Sequence, residues 1–354
     1  MSTVTSPLPY AYGAPPGTGS LKLTPDDFQV EEILGFEPSG SGEHVFLHIE
    51  KRGENTDFVA RQLARFANVP LRETGYAGLK DRHGVTRQWF SVKVPVKTEL
   101  DFSVLESENL KILTTARNTR KLKKGAARGN RFIITIRQLN GERPALDTRL
   151  AQIAETGVPN YFGSQRFGHD GGNIEQALAL FAGELGRIDP HKRGLYLSAA
   201  RSEIFNRVLA ARVEQGTWNQ AVPGDVFMFP DSHSFFTADL TPDTLERIAT
   251  RRIHASGPLW GAGDNPVSLE AAELENRITV QLDTLCRGLE RHGLEMARRP
   301  LRLCPENLQW EYPEPGSLRL SFCLPSGAYA TTLIRELIQE DTVSNTPENG
   351  VIEE

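Results

Sequence analysis

The stretch Gly75-Tyr76-Ala77-Gly78-Leu79-Lys80-Asp81-Arg82-His83-Gly84-Val85-Thr86-Arg87-Gln88-Trp89 runs into a strand-like segment and is punctuated by three glycines. Glycine permits a tight, exposed loop, and loops on a rigid scaffold are where catalytic groups concentrate. Lys80, Arg82 and His83 surround Asp81, so nearby cations favour its charged form and lower its pKa. An ionised carboxylate suits a nucleophile better than a proton donor. Aspartate beside glycine also makes ordinary turns, and these residues alone leave both readings open.

Working outward, His44 to Glu50 sets Val45, Leu47 and Ile49 in alternation, a strand pattern, with Phe46 on the other face suggesting cover on both sides. Thr56 to Ala67 spaces Phe58, Val59, Leu63 and Phe66 helically, with Asn55 or Thr56 as N-cap and Pro70 beyond the end. Trp89 to Val94 and Arg131 to Leu139 again read as strands. After Pro144 the period changes. Asn173 to Leu185, Ser198 to Glu214 and Ser268 to Arg291 read as helices, the last a single long one opened by a serine cap. Strand signals return over Leu301 to Cys304, Leu308 to Tyr312 and Leu318 to Leu324, followed by a helix from Ala328 to Gln339. Strand-rich ends around a helical middle suggest one sheet domain built from both ends of the chain and interrupted by an insertion. The tail from Asp341 to Glu354 is polar, acidic and aperiodic, and is expected to be mobile.

A chain of 354 residues exceeds the size at which one core usually stops growing, which favours two compact units. Its 39% hydrophobic and 24% charged residues are those of a globular protein. Apolar runs are short and interrupted, so neither a membrane span nor a secretory leader is expected, and the location expected is cytoplasmic. Three widely spaced cysteines, Cys286, Cys304 and Cys323, argue against a disulfide framework or a cysteine-rich zinc site.

The net charge of -5 disfavours a protein that coats nucleic acid non-specifically. Any RNA surface must be local. Arg117, Arg120, Lys121, Lys123, Lys124, Arg128 and Arg131 fall together in a run free of Asp and Glu; this is either a phosphate-binding surface or a solvated basic loop. Arg166 and Arg201 are weaker candidates.

The loop Gly78-Leu79-Lys80-Asp81-Arg82-His83-Gly84-Val85-Thr86-Arg87-Gln88 resembles the G-x-K-D-x-x-A/G-x-T-x-Q signature of the TruD family of tRNA pseudouridine synthases. Four further blocks are similar to that family in the same order: Thr24 to Glu32, Lys124 to Asn130, Val158 to Gly168 and Leu324 to Thr331. The resemblance spans about Gly17 to Leu337. It implies an α+β fold, a pseudouridine synthase catalytic domain with a mixed or antiparallel sheet, interrupted by a helix-rich insertion. The expected division is residues 1–156 and 300–340 for the catalytic domain, 157–299 for the insertion and 341–354 for the tail.

The resemblance further implies isomerisation of uridine 13 of tRNA, with Asp81 matching the catalytic aspartate and Phe28, Asn130 and Tyr329 lining the substrate pocket. Relatives often carry Phe at the position of Tyr329; the hydroxyl here keeps the aromatic face and adds a hydrogen-bonding group. The reaction breaks the N1–C1′ bond and joins C5 to C1′, so no cofactor or metal is expected, and tRNA is the only expected partner. The target uridine must leave the RNA fold to be reached. Asp81 would attack ribose C1′, add to uracil C6 or remove a ribose proton. Lys22 is the first candidate for a cation that orients Asp81 and contacts substrate; Lys80 is the nearer alternative. Competing readings are an RNA-binding protein without catalysis, a hydrolase releasing uracil, and a nucleotide-dependent enzyme suggested by Gly17-Thr18-Gly19-Ser20-Leu21-Lys22, which lacks phosphate-loop spacing.

Overall fold

The computed structural model describes residues 7–168, 171–230 and 232–340; the tail from Asp341 lies outside them. Backbone contacts divide the chain into two units. One takes Pro16–Leu146, Pro305–Gly327 and the chain from Ile338; the other takes the described residues up to Pro15, Asp147–Cys304 and Ala328–Leu337. The contact boundary at Asp147 falls inside the helix Arg143–Thr156, ahead of the expected break at 157 and close to the change of period after Pro144. Ala328–Leu337, expected with the sheet, groups with the helical unit.

The first unit is built on a ten-stranded mixed sheet. Its main path runs Glu306–Glu311, Leu318–Pro325, Ala127–Gly141, Phe28–Leu34, Val85–Lys93, His44–Arg52 and Leu110–Asn118. Most neighbours are antiparallel, but Phe28–Leu34 pairs in parallel with Val85–Lys93, Gln29 opposite Val85. Gly17–Ser20 pairs in parallel with Ile338–Glu340, so segments from both ends of the chain meet in this sheet. Phe46 and Leu47 point to opposite faces and both are fully buried, so the strand is covered on both sides at this point, while His44, His48, Glu50 and Arg52 on the Phe46 side stay half-buried. The helix Thr56–Phe66 lays Val59, Ala60 and Leu63 against Val45, Leu47, Ile49 and Phe90; burying each large aliphatic side chain stabilises by about 1.5–3 kcal/mol.

The second unit is helix-rich. The helix Pro190–Glu214 buries Ile204, Phe205 and Leu209 in its core, and Gly172–Ala182 packs beside it. The single helix expected over Ser268 to Arg291 is two helices, Leu269–Gln281 and Asp283–Arg291, separated at Leu282. The break lets Leu285, Cys286 and Leu289 pack on Ala177 and Phe181 while Leu274 packs with Val208 and Ala211. The helix expected over Ala328 to Gln339 is confined to Ala330–Ile334, and the chain then becomes the strand Ile338–Glu340, because strand pairing with Gly17–Ser20 takes its hydrogen bonds. Among the described residues, no helix is long and apolar enough to cross a membrane.

Candidate active site

Sheet pairing explains why distant residues meet. Parallel pairing of Phe28–Leu34 with Val85–Lys93 puts the lead-in segments of both strands at one end of the sheet. The antiparallel strand His44–Arg52 ends there too, with Lys51 opposite Thr86 and Arg52 opposite Val85. Lys22, Lys51, Thr56 and the Asp81 loop therefore converge.

The loop is pinned along its length. The Gly78 carbonyl accepts a hydrogen bond from Gln88 Nε2, and Gln88 is wholly buried. Thr56 Oγ1 accepts the Lys80 amide at 3.1 Å and donates to Gln88 Oε1 at 3.1 Å. Thr56, weighed above as a helix cap, thus spends its hydroxyl on this loop. Gly84 is required by space: a Cβ there would stand 2.4 Å from the Phe28 carbonyl oxygen.

Asp81 sits in this frame with its side chain 22% exposed. Lys22 Nζ forms an ion pair with Asp81 Oδ2. The His83 amide donates to Oδ1 at 3.0 Å. Burial alone would raise the Asp81 pKa, but the Lys22 hydrogen bond, the His83 amide and the charges of Lys22 and His83 together hold it below the ordinary aspartate range. The carboxylate is therefore ionised at neutral pH.

Lys22 has φ of 56°, a left-handed conformation that costs a non-glycine residue about 1–2 kcal/mol. Its ammonium also lies 4.3 Å from the centroid of the Phe28 ring, a cation–π arrangement. Phe28 is 6% exposed and meets Phe132 edge-on, so it packs in the sheet unit and supports Lys22 from below. Lys80 does not reach Asp81. Its ammonium turns inward to Glu32 at 2.7 Å, and Glu32 also accepts the Trp89 amide.

Asn130 stands opposite Glu32 on one side and Leu324 on the other. Its Oδ1 is buried without a hydrogen-bond partner; leaving such an acceptor unmet costs about 1–3 kcal/mol, which a ligand donor would recover. Its neighbour Gly129 permits this packing, since a Cβ there would stand 2.4 Å from the Leu324 carbonyl oxygen.

Lys51 was missed by the sequence reading. It is 1% exposed, with Nζ donating to the Glu54 carbonyl at 2.7 Å and to the Asp81 carbonyl at 3.4 Å. The signal was present: Val45, Leu47 and Ile49 alternate toward the core, and one further step of two reaches a lysine.

The basic run splits into two groups. Arg117 is committed to the carbonyls of Val94 at 2.8 Å and Thr98 at 2.6 Å, and Lys121 to that of Arg72. Arg120, Lys123, Lys124, Arg128 and Arg131 are exposed. The loop carrying the lysines is tied to the base of the Asp81 loop by Gly125 N donating to Ala77 O at 2.8 Å.

Tyr329 belongs to the helical unit. Its hydroxyl accepts a hydrogen bond from Arg166 Nη2 at 2.6 Å, and its ring meets Phe162 edge-on. Arg166 also donates to Ser198 Oγ at 2.9 Å, and Arg299 lies 4.2 Å from the Phe162 ring centroid. Arg201 is taken up by the carbonyls of Trp260 and Glu295. No cluster of metal-ligating side chains occurs among the described residues.

A family model described as tRNA pseudouridine synthase D (TruD) matches residues 7–177 and 171–337. The tRNA pseudouridine synthase D of Methylococcus capsulatus is 52% identical over 335 residues, covering 94% of this chain and 95% of that protein. That of Pseudomonas fluorescens is 47% identical over 338 residues, covering 96% of each. A solved structure from Methanosarcina mazei, described as a TruD protein, shares the fold with a TM-score of 0.69 at 24% identity, covering 93% of this chain and 95% of that one. These matches put the chain among the pseudouridine synthases, a class of isomerases. Within that class it belongs to the tRNA pseudouridine synthase D (TruD) family.

Proposed function

We propose that this enzyme isomerises uridine 13 of tRNA to pseudouridine, with Asp81 as the nucleophile acting on a flipped-out nucleotide. The observation that carries the reading is the state of Asp81: an ionised carboxylate, partly exposed, with Lys22 on one oxygen and the His83 amide on the other. Ion pairing of this kind tunes a nucleophile to be charged at neutral pH. The strained backbone of Lys22 supports a functional demand on that side chain, because glycine or asparagine would take the same conformation at lower cost.

The same ionised group serves each route: attack on ribose C1′, addition to uracil C6, or removal of a ribose proton. In all of them the N1–C1′ bond breaks, C5 joins C1′, the proton on C5 is lost and N1 gains one, so the sum is an isomerisation. The buried Oδ1 of Asn130 suits the N–H groups of a uracil edge or a ribose hydroxyl. Tyr329 is proposed as a stacking ring, held by Arg166 through the hydroxyl that phenylalanine would lack. Exposed Arg120, Lys123, Lys124 and Arg128 are proposed to bind backbone phosphates.

The test is incubation of wild type and Asp81→Asn with unmodified tRNA, followed by chemical mapping of pseudouridine. Product at position 13 with wild type and none with the variant is expected. Equal product from Asp81→Asn removes Asp81 from the mechanism, and product confined to another position replaces the substrate assignment.

A further inference from the structure

We propose that Lys51 is a positioning residue of the active site, holding the main-chain carbonyl of Asp81 while Lys22 holds its carboxylate, so that the nucleophile is fixed at both ends. The inference rests on the reading that Asp81 performs the chemistry. Its basis is where Lys51 lies and what it touches. A lysine that continues the core-facing stripe Val45, Leu47, Ile49 is 1% exposed, and burying an ammonium is costly unless its donors are used. The Nζ group donates to two carbonyl oxygens, Glu54 O in the turn after the strand and Asp81 O in the loop.

One side chain thus fastens the end of the strand His44–Arg52 to the loop residue that carries the reactive group. Lys22 and Lys51 reach it from different segments: the backbone of Asp81 cannot shift without breaking the Lys51 tie, and its carboxylate cannot swing without breaking those of Lys22 and the His83 amide. Small displacements of a reacting group cost far more in rate than in binding, which is the signature of a positioning role.

Protonation makes the tie conditional. Burial lowers the Lys51 pKa to about 8, with Lys80 acting in the same direction and Asp81 and Glu54 opposing it. Those three are the charged groups acting on it; its strand neighbours Thr86 and Leu110 are uncharged. Below that pH the ammonium makes charge-assisted hydrogen bonds, and above it the amine makes only weaker neutral ones.

The test compares wild type, Lys51→Met and Lys51→Arg in single-turnover pseudouridine formation against pH, alongside tRNA affinity. Lys51→Met is expected to slow the step about 100-fold while tRNA affinity stays within about twofold. Wild type is expected to lose rate above pH about 8. Lys51→Arg, whose guanidinium stays charged, is expected to lack that decline. A Lys51→Met rate within about threefold of wild type overturns the proposal, as does rate and affinity falling together. An alkaline decline unchanged in Lys51→Arg also overturns it, and that readout stands even if Lys51→Met does not fold. None of these failures would restore activity to Asp81→Asn, so the two readings fail separately.

Discussion

Two loops of the sheet unit carry charge in opposite ways. In the Asp81 loop nearly every polar group is engaged: Gly78 by Gln88, Lys80 by Glu32 and Thr56, Asp81 by Lys22, Lys51 and the His83 amide. In the basic loop that follows Leu110–Asn118, Lys123 and Lys124 stand exposed without a carboxylate partner among the described residues, although the loop backbone is anchored through Gly125 and Leu122. The difference fits the two tasks proposed for these loops. Chemistry requires a group held to a fraction of an ångström, whereas phosphate binding requires charge that can adapt to a backbone.

The largest expected effect breaks the first loop at its centre. Asp81→Asn should lower the single-turnover rate by at least about 1,000-fold with tRNA affinity little changed, measured by tritium release from labelled tRNA. Lys22→Met should follow, at about 100-fold in rate and less than about threefold in affinity. It also carries a pH signature. In wild type the Asp81 carboxyl is held below the ordinary aspartate range, so its charged form survives into acid and is lost only as pH falls through that lowered pKa. Without Lys22 the burial contribution is less opposed, and the acid limb of the rate profile should move to higher pH. An unmoved limb would separate Lys22 from Asp81.

Gly84→Ala tests whether the loop itself needs its fixed shape. The Phe28 carbonyl blocks the added methyl, and overpacking of this kind costs about 1–3 kcal/mol, to be read from denaturant midpoints. The rate should fall with the stability while Kd for tRNA holds. The smallest effect belongs to the basic loop. Lys123→Glu with Lys124→Glu should weaken tRNA binding and reduce the log-log salt slope by about one unit for each phosphate that is no longer neutralised, leaving the rate at saturating tRNA unchanged. A rate defect at saturation would erase the distinction between the loops.

What the sequence offers toward the proposed site is local: Asp81 with its cationic neighbours and the lysine run are each readable in one stretch of chain, while Asn130 enters only through the family resemblance. The pairing of Lys22 with Asp81 was a candidate only, since nothing local connects residues so far apart. Lys80, nearer in sequence, points instead to Glu32, where a carboxylate compensates the burial of its ammonium.

The sequence by itself determined the elements with strong periodicity: the helix from Thr56, the strand from His44, the helical middle and the glycine-bounded loop. These depend on which face of one segment must be buried, a property of spacing alone. Only the tertiary structure decided which segments meet. The parallel pairing of Gln29 with Val85 brings Lys22 to Asp81, the end of His44–Arg52 brings Lys51, and packing against two partners divides the helix at Leu282. Sheet register and core packing satisfy groups distant in the chain together, and no single segment carries that information.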